Sequence, residues 1–98
     1  MRELEWTEAA RADLLAIIDY IADDNPDAAQ HLKEDIESKV EGLRDFPDRF
    51  RNGRVPGTRE MVARANYIVI YAVEPCRVRI LRVLHAAWQW PPAPRQPD

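Results

Sequence analysis

The chain has 98 residues, 46% of them hydrophobic and 32% charged, with a formal net charge of −3. That length allows one domain with a small core and leaves no room for a large internal pocket, and the composition excludes a disordered chain. A single cysteine, Cys76, rules out an intrachain disulfide, and two distant histidines, His31 and His85, give no ligand spacing for a metal.

Residues 2–6 alternate, with Leu4 and Trp6 on one side and Glu3 and Glu5 on the other, which predicts a first strand. Thr7 follows as an N-cap, with Glu8 in the first turn to suit the helix dipole. Leu14, Ile17, Ile18 and Ile21 then recur at helical spacing. Asn25-Pro26 closes this helix and opens the next, since proline disfavours helix in the residue before it and suits the first helical position itself. Leu32, Ile36, Val40 and Leu43 predict a second amphipathic helix running to about Phe46. The short link makes the two helices an antiparallel hairpin.

Pro47 stops the second helix, and residues 48–57 (DRFRNGRVPG) read as a loop. Residues 59–63 are the next strand. Residues 67–73 (YIVIYAV) are apolar on both parities, so that strand is central and covered on both faces. Residues 77–85 form the last strand, and the tight links make 59–85 an antiparallel meander. The result is β-α-α-β-β-β: an α+β domain with a helical hairpin on one face of a small, mostly antiparallel sheet. The domain spans residues 1–90. Residues 91–98 hold four prolines and are expected to be an extended, flexible tail. The chain lacks both a bilayer-length apolar run and the apolar core of a signal peptide, so a cytoplasmic protein with no membrane partner is expected.

Charge divides along the chain. Residues 1–43 carry 4 basic and 12 acidic side chains; residues 44–82 carry 9 basic and 4 acidic ones, and every one of the nine is arginine. This asymmetry points either to a polyanionic or acidic partner, or to pairing between the sheet and the acidic helices. Strict alternation puts Val78, Ile80, Arg82 and Leu84 on one face of the last strand and Arg77, Arg79, Leu81, Val83 and His85 on the other. Arg82 is then either paired with a helix carboxylate or an anion-binding group. His85 is either a general acid–base or a group that bonds a backbone carbonyl. Tyr67 and Tyr71 can stack bases beside arginines, or fill the core. Trp88 and Trp90 either fold back on the sheet or offer a patch to a partner. No phosphate loop, nucleophile elbow or carboxylate pair stands out, so macromolecular binding is favoured over small-molecule turnover.

The segments WTEAARADLLAIIDYIADDNPDAA (6–29), GRVPGTREMV (53–62), NYIVIYAV (66–73) and VRILRVLHAAWQWP (78–91), in this order, resemble the RelE/ParE superfamily of bacterial type II toxin–antitoxin toxins, and the ParE branch more than the RelE branch. The resemblance implies a hairpin-on-sheet fold and a growth inhibitor neutralised by a ParD-like antitoxin that wraps it. It implies DNA gyrase as target in the ParE branch and ribosomal mRNA cleavage in the RelE branch. It implies no cofactor. On the RelE reading the catalytic candidates are Arg59, Arg82 and His85. Target or antitoxin binding falls to Arg54, Arg59, Arg64, Tyr71, Arg77, Arg79, Arg82, Trp88 and Trp90. The isoelectric point near 5.4, the absence of lysine after Lys39 and the lack of Arg or Lys directly after His85 depart from the nuclease pattern. The expectation is therefore a gyrase-binding toxin whose sheet arginines stand free to grip another macromolecule, with the ribosome-dependent endonuclease as the alternative.

Overall fold

A computed structural model describes residues 2–64 and 66–86. Trp88, Trp90 and the proline-rich tail lie outside the described residues. The elements are β1 (Glu3–Trp6), α1 (Glu8–Ala22), α2 (Pro26–Glu41), two 3₁₀ turns (Gly42–Arg44 and Pro47–Arg49), β2 (Arg51–Asn52), β3 (Arg59–Arg64), β4 (Tyr67–Val73) and β5 (Arg77–His85).

Both helix starts form as the sequence predicts. Thr7 Oγ1 accepts a hydrogen bond from the Ala10 amide at 3.2 Å, and Asn25 Oδ1 accepts one from the Ala28 amide at 3.0 Å, with Pro26 opening α2. The second helix ends earlier than expected. Past Glu41 the chain tightens into the turn at Gly42–Arg44, which buries Leu43 and lets Arg44 exchange hydrogen bonds with Arg2 beside β1. Glycine is a poor helix former, and the backbone winds more tightly where it appears.

The sheet order is β1-β5-β4-β3-β2. β1 runs parallel to β5, and the other neighbours are antiparallel. The helices cover one face. Leu14 and Ile17 of α1 and Leu32, Ile36 and Val40 of α2 pack on Met61, Val69, Tyr71, Val78, Ile80 and Val83. β2 was not expected. It is held by a tight loop in which the Gly53 amide donates to the Thr58 carbonyl at 2.7 Å, and a Cβ on Gly53 would lie 2.1 Å from Thr58 Oγ1. Gly57 has φ +85°, in the region that favours glycine.

One correction bears on function. Arg82 pairs with Ile70, but Ile80 pairs with Tyr71, so Leu81 is an extra residue in β5. Such a bulge reverses the side-chain parity beyond it. Val83 therefore joins Val78 and Ile80 in the core, and Arg82 starts from the helix-free face, not from among its apolar neighbours as strict alternation predicts.

Candidate functional site: the arginines of β5 and their flanks

Where β5 runs beside β1, Glu3 is opposite Arg77 and Glu5 opposite Arg79. Parallel registration puts carboxylates and guanidiniums side by side on the helix-free face. Arg77 reaches Glu5 at 2.8 Å and Glu74, in the turn before β5, at 2.6 Å. Arg79 lies 3.5 Å from Glu5 and 3.7 Å from Glu74. The hydrogen bond from Arg77 holds the Glu74 carboxyl below its usual value and raises the Arg77 guanidinium in return. All four side chains remain between 34% and 45% exposed. Arg79 Nε and Glu5 Oε1 are nonetheless enclosed atoms without a hydrogen bond, so this grid is paired but loosely.

Beyond Ile80, β1 has ended and the edge of β5 passes to α1. Thr7 Oγ1 lies 2.8 Å from the Ile80 carbonyl and 3.2 Å from that of Leu81, and the Thr7 amide also donates to Ile80. Six residues on, Asp13 accepts the Val83 amide at 3.0 Å, in the place of a strand partner. The same carboxylate takes Arg82 in a two-point pair, 2.6 Å to Nε and 2.9 Å to the terminal nitrogen. That bond raises the Arg82 guanidinium further. Asp13 is only 13% exposed. At the strand end, His85 stands edge-on to Tyr67, with ring centroids 5.3 Å apart.

The remaining candidates are distributed over the far half of the sheet. Arg59 pairs across the sheet with Tyr71 and is tied to the chain after α2: its terminal nitrogen donates to the Phe50 carbonyl at 2.7 Å, and Asp48 lies 3.6 Å away. Tyr71 is fully buried, its hydroxyl donates to the Pro47 carbonyl at 2.7 Å, and burial pushes its pKa up to about 12. It is a core residue with a bonded hydroxyl and is not available to stack on a base. Arg64 donates to Asp35 of α2 at 2.6 Å; that bond, followed by the one from Lys39, lowers the Asp35 carboxyl. Arg54 sits near Glu60, which is 3% exposed and accepts from both the Arg51 side chain and the Arg54 amide at 3.0 Å.

The profile of the family described as "ParE toxin of type II toxin-antitoxin system, parDE" matches residues 4–90. This chain belongs to the ParE toxin family. Among relatives, it is 40% identical over 91 residues to a Sinorhizobium fredii protein named as a toxin, Y4kP, covering 92% of this chain and 94% of the relative. It is 37% identical over 87 residues to the toxin RelE2 of Caulobacter vibrioides, covering 89% and 98%. The fold matches a chain of the chromosomal ParDE system from P. aeruginosa with a TM-score of 0.78 at 28% identity, over 87% of this chain and 96% of that one. A toxin from Helicobacter pylori shares the fold alone, with a TM-score of 0.57 at 15% identity over 87% and 94%.

For a ParE toxin, the placement of the candidates is informative. Arg77, Arg79 and Arg82 lie along one strand, so the structure brings them together. Arg59 is not brought to His85. Their cross-strand partners, Tyr71 and Tyr67, are four residues apart on β4, about 13 Å at strand rise. Arg59, Arg77, Arg79 and Arg82 each pair with a carboxylate of this chain, so they are not the free cations that the sequence reading expects. The acid-rich N-terminal half is what satisfies them. Sequence reasoning missed Asp13, one of 12 acidic residues in that half, and Glu60, whose burial no periodicity announces. The available signal for Asp13 was position: six residues past the Thr7 cap, on the side of α1 that faces β5.

Proposed function

We propose that this ParE-family toxin inhibits growth by docking on DNA gyrase in the cytoplasm, and that a ParD-like antitoxin neutralises it by wrapping the domain. The observation that carries the reading is the family match over residues 4–90, joined to the arrangement of the basic groups. Arg77 and Arg79, loosely paired with Glu5 and Glu74, suit recognition: they can exchange partners without a proton moving. An acid–base pair for cutting RNA needs two groups within reach of one reacting atom, and Arg59 and His85 are held apart. Arg77 and Arg79, with Arg54 and Arg64 at the other strands, are the contacts assigned to target or antitoxin. The match to a chromosomal ParDE system supports an antitoxin partner.

One observation favours a second reading, an mRNA endonuclease that works on the ribosome: the 37% identity to a relative named RelE2, together with His85 edge-on to Tyr67 at the end of β5. Expression without antitoxin separates the two. Docking on gyrase gives an SOS response and gyrase-trapped DNA breaks, unchanged in His85→Ala. Endonuclease action gives rapid translation arrest with codon-phased mRNA cuts, abolished in His85→Ala or Arg82→Ala. Soluble toxin that produces neither outcome removes both readings.

A further inference from the structure

The helices account for the burial of one face of the sheet. The other face is also buried, over β4 and β5. Register places Ile68 beside Leu84, and Ile70 between Glu60 and Arg82. The pleat turns these side chains away from the helices, toward which Tyr71 and Val83 point. Ile70 is nonetheless only 1% exposed and Leu84 6%, whereas Val62, in the same row on β3, is 51% exposed. Among the described residues no helix or strand lies over this face. The long neighbours do not close it either, because Arg82 is drawn to Asp13 at the α1 edge and Arg51 to Glu60. Arg54, Arg82 and His85 border the face, and each has a contact in addition to Glu60, Asp13 and Tyr67 respectively.

The chain itself supplies an occupant of the right chemistry at the right place. β5 ends at His85, one residue past Leu84, and the Ala86 amide donates to the Asn66 carbonyl at 2.6 Å. The backbone therefore leaves the sheet beside the row of Leu84 and Ile68. Residues 87–92 follow with the sequence AWQWPP. This segment has no ladder to join: β4 takes one edge of β5, and on the other Asp13 holds the Val83 amide. Its prolines also lack the amide that a ladder needs. Lying across a face asks for neither. In an extended segment Trp88 and Trp90 share one side about 7 Å apart, the same spacing as Ile68 and Ile70. Two indoles bring a large apolar area to a strip that needs a cover.

We infer that residues 87–92 fold back over the helix-free face, with Trp88 on Leu84 and Ile68 and Trp90 on Ile70. The two tryptophans are then a lid on the second face of the sheet, not a patch held out to a partner. The inference goes beyond the toxin reading and does not rest on it. It divides the helix-free face into two zones. The apolar strip between Arg54 and Arg82 is closed to any macromolecule until the segment moves, while Arg77 and Arg79 stay open on the β1 side.

The test is methyl NMR on the full chain. Contacts are expected from the Trp88 indole to the methyls of Leu84 and Ile68, and from the Trp90 indole to those of Ile70, unchanged on dilution. Trp88→Ser is expected to remove the ring-current shift of the Leu84 methyls, and Trp90→Ser that of Ile70. Each variant is expected to lower the folding equilibrium constant about tenfold, for the loss of a half-covered indole. Ile68→Ala is expected to cost less in Trp88→Ser than in the parent chain, since the two side chains meet. Indole contacts with the helices or with no methyl, methyl shifts unmoved in both variants, or strictly additive losses overturn the inference. Contacts that fade on dilution make the occupant a second copy, and overturn it too. If either serine variant fails to fold, the contacts in the parent chain decide alone. No step uses growth or gyrase, so failure here leaves the toxin reading standing, and a non-toxic chain leaves this result standing.

Discussion

β5 runs beside β1 for its first half and beside α1 for its second, and its arginines differ accordingly. Arg77 and Arg79 face a strand that supplies Glu5 at fixed register and a turn that supplies Glu74. Four exposed groups share the pairing, and an incoming carboxylate or phosphate can take either guanidinium with little lost. Arg82 faces a helix that supplies one carboxylate, and this carboxylate also stands in for a missing strand at the Val83 amide. The same residue type on the same strand is thus an exchangeable contact at one end and a structural tie at the other. What decides is the edge neighbour: a strand distributes its charges at pleat spacing, whereas a helix brings one side chain that must serve several groups.

The largest effect is expected where that tie is cut. Asp13→Ala leaves the Val83 amide without its acceptor and the half-buried Arg82 without its counter-charge. Breaking both is expected to destabilise the domain by about 2–3 kcal/mol, less than for a fully buried pair because Arg82 is partly solvated. Chemical denaturation measures it. Arg82→Ala keeps the Asp13–Val83 bond and is expected to cost less than half as much. Equal losses in the two variants would mean that the charge pair alone matters and that the edge bond contributes nothing.

A second tie, at the far end of the sheet, sharpens the comparison. Tyr71→Phe removes the hydroxyl that meets the Pro47 carbonyl and is expected to cost about 1–2 kcal/mol. The raised pKa gives an independent check. A phenol that ionises at about 12 in the fold and near 10 when unfolded favours the folded state fully below pH 10. That stability is lost as pH climbs from 10 through 12, and the Phe variant is expected to lack this alkaline slope. Tyrosinate absorbance reports it directly.

How much of this is legible in the sequence follows from which forces are local. Caps, helical stripes and turn residues act within a few positions, so Thr7 and Asn25-Pro26 predict where the helices start and the two amphipathic stripes predict their buried faces, although α2 ends at Glu41 and not near Phe46. The neighbours of β5 are set by chain return, not by local pattern, so nothing near Arg77 announces that β1 will lie parallel beside it. The Leu81 bulge is invisible for a related reason. ILRVLH reads as unbroken alternation, and the extra residue is fixed by what Asp13 and Thr7 offer at the strand edge. Since that bulge reverses parity, the surroundings of Arg82 could not be derived from spacing, although its need for a helix carboxylate could.

The smallest effect belongs to the exchangeable end. Glu74→Gln is expected to leave the denaturation midpoint unmoved, because Glu5 still meets both arginines and exposed pairs add little. Its signature is in titration instead. Arg77 holds the Glu74 carboxyl below its ordinary 4.5, so the pairing is fully present above that value and is lost only as pH falls through the lowered one. Carboxyl NMR of Arg77→Ala is expected to return Glu74 toward 4.5, and salt to move it the same way in the parent chain, since exposed charges are screened. Arg82→Ala is expected to leave that titration unchanged. If Glu74 also shifted there, the two halves of β5 would be one coupled network, and the division between exchangeable contact and fixed tie would fail.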